Sequence, residues 1–230
     1  LEMPVAKVLA TMEYNGVKPD MELLDQLSED MRFRISKLEK TAVEQAGEEF
    51  NLKSPKQLGV VLFEHLGLPV IKKTKTGYST DVKVLEELED KHPLIGTILE
   101  HRKLAKLQST YIDGLKPLQN TKTGRIHTRF QQTVTVTGRL SSTDPNMQNI
   151  PTRTEEGKQI RKVFVPGEGY DYLMSCDYSQ VELRILACIA KDEVMLEAFK
   201  SGQDVHARTA AEVFGVPLEE VTSQMRSRAK

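Results

Sequence analysis

The stretch YDYLMSCDYSQVELRILACIA, residues 170–190, contains the most informative pattern in the chain. Tyr172–Cys176 is apolar enough to predict a strand that delivers Asp177 to its end. Ser179 then predicts a helix N-cap, and Glu182 stands three residues later, at the spacing of a capping box. A carboxylate between a strand and a buried helix is held by rigid elements, which suits it to bind a cation. The simpler interpretation, in which these residues only cap and end elements, stays open on this stretch alone.

The composition is that of an ordinary globular protein. The 230 residues are 39% hydrophobic and 28% charged, enough for one large or two to three small units. Two cysteines without a CxxC motif argue against a disulfide framework or a zinc site and favour a reducing compartment. No apolar run approaches the length of a membrane span, and we expect no targeting leader. Both ends of the sequence read as cuts within a longer one.

Charge is distributed unevenly along the chain. Residues 1–100 carry 13 Lys and Arg against 18 Asp and Glu, whereas residues 101–139 carry eight Lys and Arg against the single acidic residue Asp113. The basic segment therefore predicts contact with a polyanion. The Ser, Thr, Gln and Tyr residues interspersed in it favour phosphate contacts, and a solvated basic face is the alternative.

Periodicity predicts helices at both ends of the chain and strands between them. Helices are predicted at Pro4–Tyr14, from Asp20 to about Phe50, from Ser54, from a cap at Thr80, at Leu94–Tyr111, and in most of the chain after Val181. Strands are predicted at Ile126–Thr137, Ile160–Phe164 and Tyr172–Cys176. The order of helices, strands and helices predicts an α+β fold with separate subdomains.

Five sequence segments, taken together and in order, match the motifs of one protein family. They are TGRLSSTDPNMQNIP (137–151), EEGKQIRKVFVP (155–166), DYSQVELR (177–184), DVHARTAAEVFGV (204–216) and RSRAK (226–230). In this order they resemble the polymerase domain of family A DNA polymerases, of the bacterial DNA polymerase I type. One short motif has a substantial false-positive rate, but five in order leave little room for chance. The resemblance covers essentially the whole chain, as the N-terminal portion of that domain.

The resemblance implies a right-hand architecture. Residues 1–20 would be a junction that follows an exonuclease-like domain, 21–120 a helical thumb, 121–190 the first part of an antiparallel-sheet palm, and 191–230 the start of helical fingers. The implied activity is DNA-dependent addition of a deoxynucleoside triphosphate (dNTP) to a primer 3′-hydroxyl, in DNA replication or repair. The implied partners are primer-template DNA and dNTP. We expect a monomeric protein of the cytoplasm, associated with the nucleoid and not with a membrane.

The resemblance assigns Asp177 as the first metal-bridging aspartate and the backbone carbonyl of Tyr178 as the neighbouring ligand. Two Mg²⁺ ions about 3.5–4 Å apart can activate the attacking oxygen and neutralise the leaving one. Such ions prefer carboxylate oxygens together with substrate phosphates. The second catalytic aspartate of the family lies in a later His-Asp-Glu hairpin that these 230 residues lack. We therefore expect the chain alone not to polymerise DNA.

The resemblance also assigns residues to the nucleotide. Glu182 would pack beneath the incoming sugar and exclude a ribose 2′-hydroxyl. Arg226 and Lys230 are four positions apart, hence on one helix face, and would clamp the triphosphate. Lys230 would also act in catalysis, by donating a proton to the leaving pyrophosphate. His206 would contact the β-phosphate, and Gln180 would face the nucleotide or the minor groove.

A further set of residues is expected to contact DNA. Arg139 is the best candidate for reading minor-groove acceptors that all base pairs share, which a polymerase without sequence preference needs. Amide donors on the same segment come from Asn146, Gln148 and Asn149, and phosphate contacts by the thumb are expected from Lys106, Ser109 and Thr110.

Two other functions compete with a DNA polymerase. A DNA-binding derivative that has lost its chemistry would have no use for Asp177, Glu182, Arg226 and Lys230 together, which argues against it. A single-subunit RNA polymerase shares the metal-binding aspartate. Glu182 and the segment around Arg139 favour the DNA polymerase over it.

Overall fold

The structure is a computed structural model that describes residues 2–75, 77–152 and 154–229. The chain divides into two compact units, Leu1–Leu173 and Met174–Lys230. None of the helices within the described ranges combines the length and apolar character that a membrane span requires. Helices dominate, and the strands are short antiparallel pairs, in keeping with the predicted α+β class.

The described part of the first unit contains six α-helices. They are α1 (Glu2–Asn15), α2 (Met21–Ala46), α3 (Pro55–Val60), α4 (Val82–Glu87), α5 (Pro93–Leu107) and α6 (Glu155–Lys162). Two of them continue as single turns of π-helix, α3 into Val61–His65 and α5 into Gln108–Ile112. Short 3₁₀ turns cover Glu89–Lys91, Lys116–Leu118 and Met147–Asn149.

Capping residues set the bounds of the long helix α2. The side chain of Asp20 accepts a hydrogen bond from the backbone N–H of Leu23 at 3.0 Å, which confirms the predicted start. The helix ends at Ala46, short of the predicted Phe50, because Gly47 adopts the left-handed conformation with φ of 75°. Local capping chemistry therefore decides both ends.

The next two helix starts were also predicted from capping residues, one correctly. Ser54 caps α3, with its side chain accepting from the N–H of Gln57 at 3.4 Å and Pro55 in the first turn. The prediction that Thr80 caps α4 is wrong, because the N-cap is Asp81. Thr80 instead accepts hydrogen bonds from the guanidinium of Arg102, through its carbonyl and at 3.1 Å through its hydroxyl.

Two hydrophobic cores lie along α2. The first surrounds Ala42, near the C-terminal end of α2, and combines it with residues of α3, α4 and α5 such as Leu58, Leu85 and Ile98. The second surrounds Leu24 and Met31 and takes in the last residue of α5 and residues that follow it: Leu107, Ile112, Leu115, Ile126, Ile150, Ile160 and Val163. The second core thus joins residues from the predicted thumb and from the predicted palm.

Three two-stranded antiparallel pairs are present in the described residues. They are β1 (Lys18–Pro19) with β6 (Phe164–Val165), β2 (Lys73–Thr74) with β3 (Gly77–Tyr78), and β4 (Arg129–Gln131) with β5 (Ser141–Thr143). The long strand predicted at Ile126–Thr137 is therefore mostly wrong. Three of its residues pair in β4 and Ile126 forms isolated β-bridges with Val17 and Gln119, but the β-branched side chains of Val134 and Val136 are exposed.

The strand predicted at Ile160–Phe164 is largely wrong, because α6 occupies most of it. The hydroxyl of Thr154 caps this helix by accepting from the N–H of Gly157 at 3.1 Å. Acidic residues stand in its first turn and basic residues in its last turn, which favours a helix of this polarity. Its fully buried Ile160 joins the second core, and only Phe164 of the predicted strand pairs, in β6.

The second unit contains four helices within its described residues. They are α7 (Val181–Ala190), α8 (Glu193–Lys200), α9 (Val205–Phe214) and α10 (Ser223–Arg228), with a 3₁₀ turn at Leu218–Glu220. Side chains of Asp192, Asp204 and Thr222 cap α8, α9 and α10. These bounds confirm the helices predicted in this region.

The segment before α7 differs from its prediction. Tyr172–Cys176 forms no strand, because no other described residue pairs with its backbone. Tyr172 and Met174 are 87% and 88% exposed. Helix α7, which was predicted to be buried, is mostly exposed. Among the described residues of α7, only Ala187 is buried.

Candidate functional site

Asp177 and Tyr178 lie in an exposed segment without regular secondary structure, separated from α7 by a turn at Ser179 and Gln180. Arg184 of α7 stabilises the turn between Tyr178 and α7, because its Nε donates to the carbonyl of Ser179 at 2.9 Å. The guanidinium carbon of Arg184 also lies 4.6 Å from the centre of the Phe199 ring of α8. Arg184 therefore ties the residues beside Asp177 to two helices of the second unit.

The predicted cap of α7 is wrong. Ser179 does not cap the helix, and the N-cap is Gln180, in a left-handed conformation with φ of 53° and without a side-chain cap. Residues other than glycine seldom adopt this conformation, and it turns the chain sharply into α7. The side-chain oxygen of Gln180 is buried without a hydrogen-bond partner among the described residues. Glu182 lies in the first turn, where a negative charge complements the helix dipole.

The carboxylate of Asp204 accepts hydrogen bonds from the backbone of one predicted nucleotide-binding residue, His206, and from the side chain of another, Arg226. Asp204 is the N-cap of α9, and its Oδ1 accepts from the backbone N–H groups of His206 and Ala207 at 2.9 and 3.1 Å. Its Oδ2 accepts from Nε of Arg226, on α10, at 2.7 Å. Partial burial opposes ionisation of Asp204, but these hydrogen bonds and the positive charge of Arg226 outweigh it and lower the pKa of the carboxyl. Lys230, predicted to join Arg226, lies outside the described residues.

The predicted DNA-binding segment in the first unit is held by its own side chains. The hydroxyl of the buried Ser142 accepts from the N–H of Met147 at 3.1 Å and lies 3.2 Å from Oδ1 of Asn146. Nε2 of Gln148 donates to the carbonyl of Leu140 at 3.2 Å. Two of the predicted amide donors thus also shape the segment that carries them.

The remaining residues of this segment lie at its surface. Arg139 is exposed and follows Gly138, whose φ of 75° closes the turn before it. The carbonyl of Asn149 accepts from the hydroxyl of Tyr111, which packs against the second core. Tyr111 is therefore a packing residue in this structure.

Lys106, Ser109 and Thr110 are exposed where α5 widens into its π turn. Their neighbour Gln108 is buried and anchors the turn to α2, since its Nε2 donates to Oγ of Ser28 at 3.0 Å. The three predicted phosphate contacts are thus presented on a turn that the interior fixes.

The metal-binding prediction meets a clear limit within the described residues. No group of three or more His, Cys, Asp and Glu side chains in residues 2–75, 77–152 and 154–229 is placed to hold a metal ion. The oxygens of Asp177 and of the Tyr178 carbonyl suit Mg²⁺ by type, but six oxygen ligands are its norm. These residues fit the ion as part of a site and not as a complete one.

A cavity of about 1000 Å³ lies elsewhere in the first unit, lined among others by Tyr78, Thr80, His101 and Arg102. None of the predicted site residues lines it. Burial lowers the pKa of Arg102, against the opposing charge of Asp81. We assign it no role in the chemistry, because it brings no nucleophile or acidic pair near the predicted site.

Asp204 contacts two of the predicted site residues but was not itself predicted. An aspartate directly before the apolar pattern of Val205–Phe214 is a recognised N-cap signal, so its capping role could have been predicted. Its contact with Arg226 could not, because no local pattern relates two residues on different helices.

Comparisons with known proteins agree on one family. A sequence profile of DNA polymerase family A matches residues 21–230. The chain is 54% identical over 230 residues to DNA polymerase I of Bacillus subtilis (strain 168) and 55% identical over 230 residues to DNA polymerase I of Caldicellulosiruptor bescii. All of the chain is covered in both cases, but it spans only 26% and 27% of those relatives.

A solved structure is similar over the whole chain. It is the POL domain of Pol1 from M. smegmatis in complex with DNA primer-template and dNTP, at 47% identity and a TM-score of 0.92. The match covers 100% of this chain and 40% of that one.

Proposed function

Since the chain belongs to DNA polymerase family A, we propose that it forms part of the active centre of a DNA-directed DNA polymerase. The proposed reaction joins a dNTP to the 3′-hydroxyl of a primer paired with a DNA template. The observation that carries the proposal is the cluster at Asp204. There, a single carboxylate accepts from the backbone N–H of His206 and from Nε of Arg226, two residues predicted to bind one triphosphate.

The proposed division of labour follows the right-hand arrangement. Residues 21–120, built on the packed pair α2 and α5, form the thumb, after a junction at residues 1–20. Residues 121–190 form the first part of the palm and 191–230 the start of the fingers. The helical character of 21–120, the short antiparallel pair β4–β5 and the helices α8 to α10 support this division.

The proposed cofactor is Mg²⁺, with Asp177 and the Tyr178 carbonyl as its ligands from this chain. When bound, two such ions would neutralise charge on the reacting phosphate and activate the attacking hydroxyl. Asp177 is exposed on a turn that Arg184 anchors, so its carboxylate is available to ligands from outside the described residues. Nucleotide phosphates and a second carboxylate, from the hairpin that the family resemblance implies, would complete the set.

The proposed nucleotide site lies in the second unit. The guanidinium of Arg226 and the imidazole of His206 bind the triphosphate by charge-assisted hydrogen bonds. Lys230 completes the clamp and donates a proton to the pyrophosphate as it leaves. Glu182 packs against the sugar and excludes a 2′-hydroxyl, and Gln180 faces the nucleotide at the turn into α7.

The proposed DNA contacts lie in the first unit. Arg139 reads acceptors in the minor groove, with Asn146, Gln148 and Asn149 on the same segment. Lys106, Ser109 and Thr110 contact phosphates from the turn that follows α5. The internal hydrogen bonds of Asn146 and Gln148 support this, because they fix the segment before DNA arrives and so reduce the entropy lost on binding.

We expect the 230 residues alone not to polymerise DNA. They span about a quarter of the length of the curated relatives, and Asp177 is the single catalytic carboxylate that the family motifs assign to them. Templated primer extension by the isolated chain would contradict this.

The proposed function is tested by primer extension with the full-length protein. We expect templated incorporation of dNTPs and strong discrimination against ribonucleotides. Efficient incorporation of ribonucleotides would indicate an RNA polymerase. Tight binding to primer-template without any incorporation would indicate a DNA-binding protein and contradict the proposal.

A further inference from the structure

The two carboxylate oxygens of Asp204 accept hydrogen bonds from different groups. Oδ1 caps α9 by accepting from the N–H groups of His206 and Ala207, and Oδ2 accepts from Nε of Arg226 at 2.7 Å. The carboxylate therefore fixes the first turn of α9 and the side chain of Arg226 at the same time. An N-cap alone would need only one oxygen.

The helix that carries Arg226 contacts both ends of α9. Arg226 lies on α10, whose start is capped by the hydroxyl of Thr222, which accepts from the N–H of Met225 at 3.2 Å. The neighbouring Arg228 lies over the ring of Phe214, the last residue of α9, at 5.7 Å. Asp204 precedes the first residue of α9, so the two arginines of α10 contact α9 at both of its ends.

The contact leaves part of the Arg226 guanidinium available. In the described part of the chain, its hydrogen bond to Asp204 uses Nε, and the side chain is 40% exposed. A guanidinium is a rigid planar fork, so fixing one edge orients the terminal nitrogens as well. Those nitrogens are the donors that bind phosphate oxygens in a bidentate manner.

We propose that Asp204 is a positioning residue for the triphosphate: it anchors Arg226 through Nε and so aims the terminal guanidinium nitrogens at the phosphates, beside the first turn of α9 that carries His206. This inference rests on the proposed nucleotide site. It adds to that site a residue that does not itself touch the substrate.

Electrostatic repulsion between Asp204 and the triphosphate would have the opposite effect on nucleotide binding. A carboxylate close to a triphosphate repels it, and removing the negative charge would leave Arg226 more attractive to anions. The side chain of Asp204 is 37% exposed, so water and salt screen this repulsion. A free arginine side chain, by contrast, must lose its rotamer freedom when it binds. We therefore expect anchoring to outweigh repulsion, and the sign of the effect on nucleotide binding is the test.

The decisive variant is Asp204→Asn in the full-length protein, because asparagine caps helices as well as aspartate does but cannot form the ion pair. We expect the KM for dNTP in primer extension to rise about fivefold, with kcat changed less than about twofold. The matched control is Asp192→Asn. Asp192 caps α8 in the same way, with its side chain accepting from the N–H of Met195 at 2.9 Å, but contacts no arginine among the described residues. The KM of the Asp192→Asn protein for dNTP should stay within about twofold of that of the unmodified protein.

A double-mutant cycle with Arg226→Ala separates this inference from the proposed function. If Asp204 acts through Arg226, the Asp204→Asn change has no further effect on KM once Arg226 is alanine. If Arg226→Ala alone leaves KM unchanged, the proposed nucleotide site is wrong and the inference falls with it. If Arg226→Ala raises KM but Asp204→Asn leaves it unchanged or lowers it, the inference alone is wrong.

Discussion

Arg34 and Glu156 form an ion pair of 2.9 Å across 122 positions of the chain. The same two residues share a network with Lys103 and Glu100, in which Lys103 lies 3.3 Å from Glu156 and 3.0 Å from Glu100. The network joins α2, α5 and α6. It therefore ties the helices of the proposed thumb to the first helix of the proposed palm.

Removing the central charge of this network should destabilise the first unit. The side chain of Glu156 is only 13% exposed, and Glu156→Gln leaves Arg34 and Lys103 to share Glu100. We expect a loss of about 1–2 kcal/mol in the free energy of unfolding at pH 7, measured by chemical denaturation followed by circular dichroism.

The neighbouring Glu155 provides a matched control. It is 76% exposed and pairs with Lys158 of its own helix, so Glu155→Gln should cost less than about 0.5 kcal/mol. Equal effects of the two substitutions would show that the network contributes nothing beyond an ordinary surface charge.

The network also predicts how stability depends on pH. Burial opposes ionisation of Glu156, but hydrogen bonds from Arg34 and Lys103 outweigh it, so the pKa of Glu156 is lowered. Burial likewise opposes the charged form of Lys103, and hydrogen bonds to Glu100 and Glu156 outweigh it, so the pKa of Lys103 is raised. The contribution of Glu156 is present above its unfolded pKa of about 4.3 and is lost as pH falls through the lower folded value. That of Lys103 is present below about pH 10 and is lost as pH rises through its raised value.

The stability difference between the unmodified protein and Glu156→Gln should therefore be flat from about pH 5 to pH 9 and shrink below about pH 4. Denaturation curves at several pH values measure this difference directly. A difference that grew with acidification would contradict the assigned ion pairs.

Glu182→Ala should weaken discrimination between deoxyribonucleotides and ribonucleotides. Glu182 lies in the first turn of α7. The left-handed Gln180 and the hydrogen bond of Arg184 constrain the backbone just before it. We expect the ratio of kcat/KM for dNTP over ribonucleotide to fall by a factor on the order of 100 in the full-length protein. Glu193→Ala, in the first turn of α8, is the control and should leave the ratio unchanged. An unaltered ratio for Glu182→Ala would contradict the proposed contact of Glu182 with the sugar.

Lys106→Ala should weaken binding of primer-template DNA in a salt-dependent manner. Lys106 is exposed beside the anchored π turn, and one lost phosphate contact lowers the slope of log K against log salt by about 1. Fluorescence anisotropy at several salt concentrations measures this slope. Lys158→Ala, which removes an exposed lysine of α6, should leave it unchanged. If both variants changed the slope equally, the effect would be one of net charge and not of a specific contact.

Local signals predicted the starts of α2 and α3, because capping depends on a few neighbouring residues. Asp20 and Ser54 begin α2 and α3 as predicted, and the apolar spacing from Leu24 to Met31 packs into a core. Tyr172–Cys176 failed as a strand for the opposite reason. A strand exists only with a partner, and its composition alone does not supply one.

The family motifs supply candidate site residues, Asp177, Glu182, His206 and Arg226, whose roles stay predictions. They do not supply the arrangement of these residues. The contact between Asp204 and Arg226 depends on how α9 packs against α10, which no local pattern encodes. Gln180 in a left-handed conformation likewise overrode the capping box that Ser179 and Glu182 suggest.

The most direct measurement is single-turnover primer extension by the full-length protein carrying Asp177→Asn, together with its affinity for primer-template DNA. Asparagine keeps the shape of the side chain and removes the charge that suits it to bind Mg²⁺. We predict that the extension rate falls at least about 1000-fold, while the Kd for primer-template stays within about threefold of that of the unmodified protein. An extension rate within about tenfold of the unmodified protein would contradict the assignment of Asp177 to the catalytic centre of a DNA polymerase.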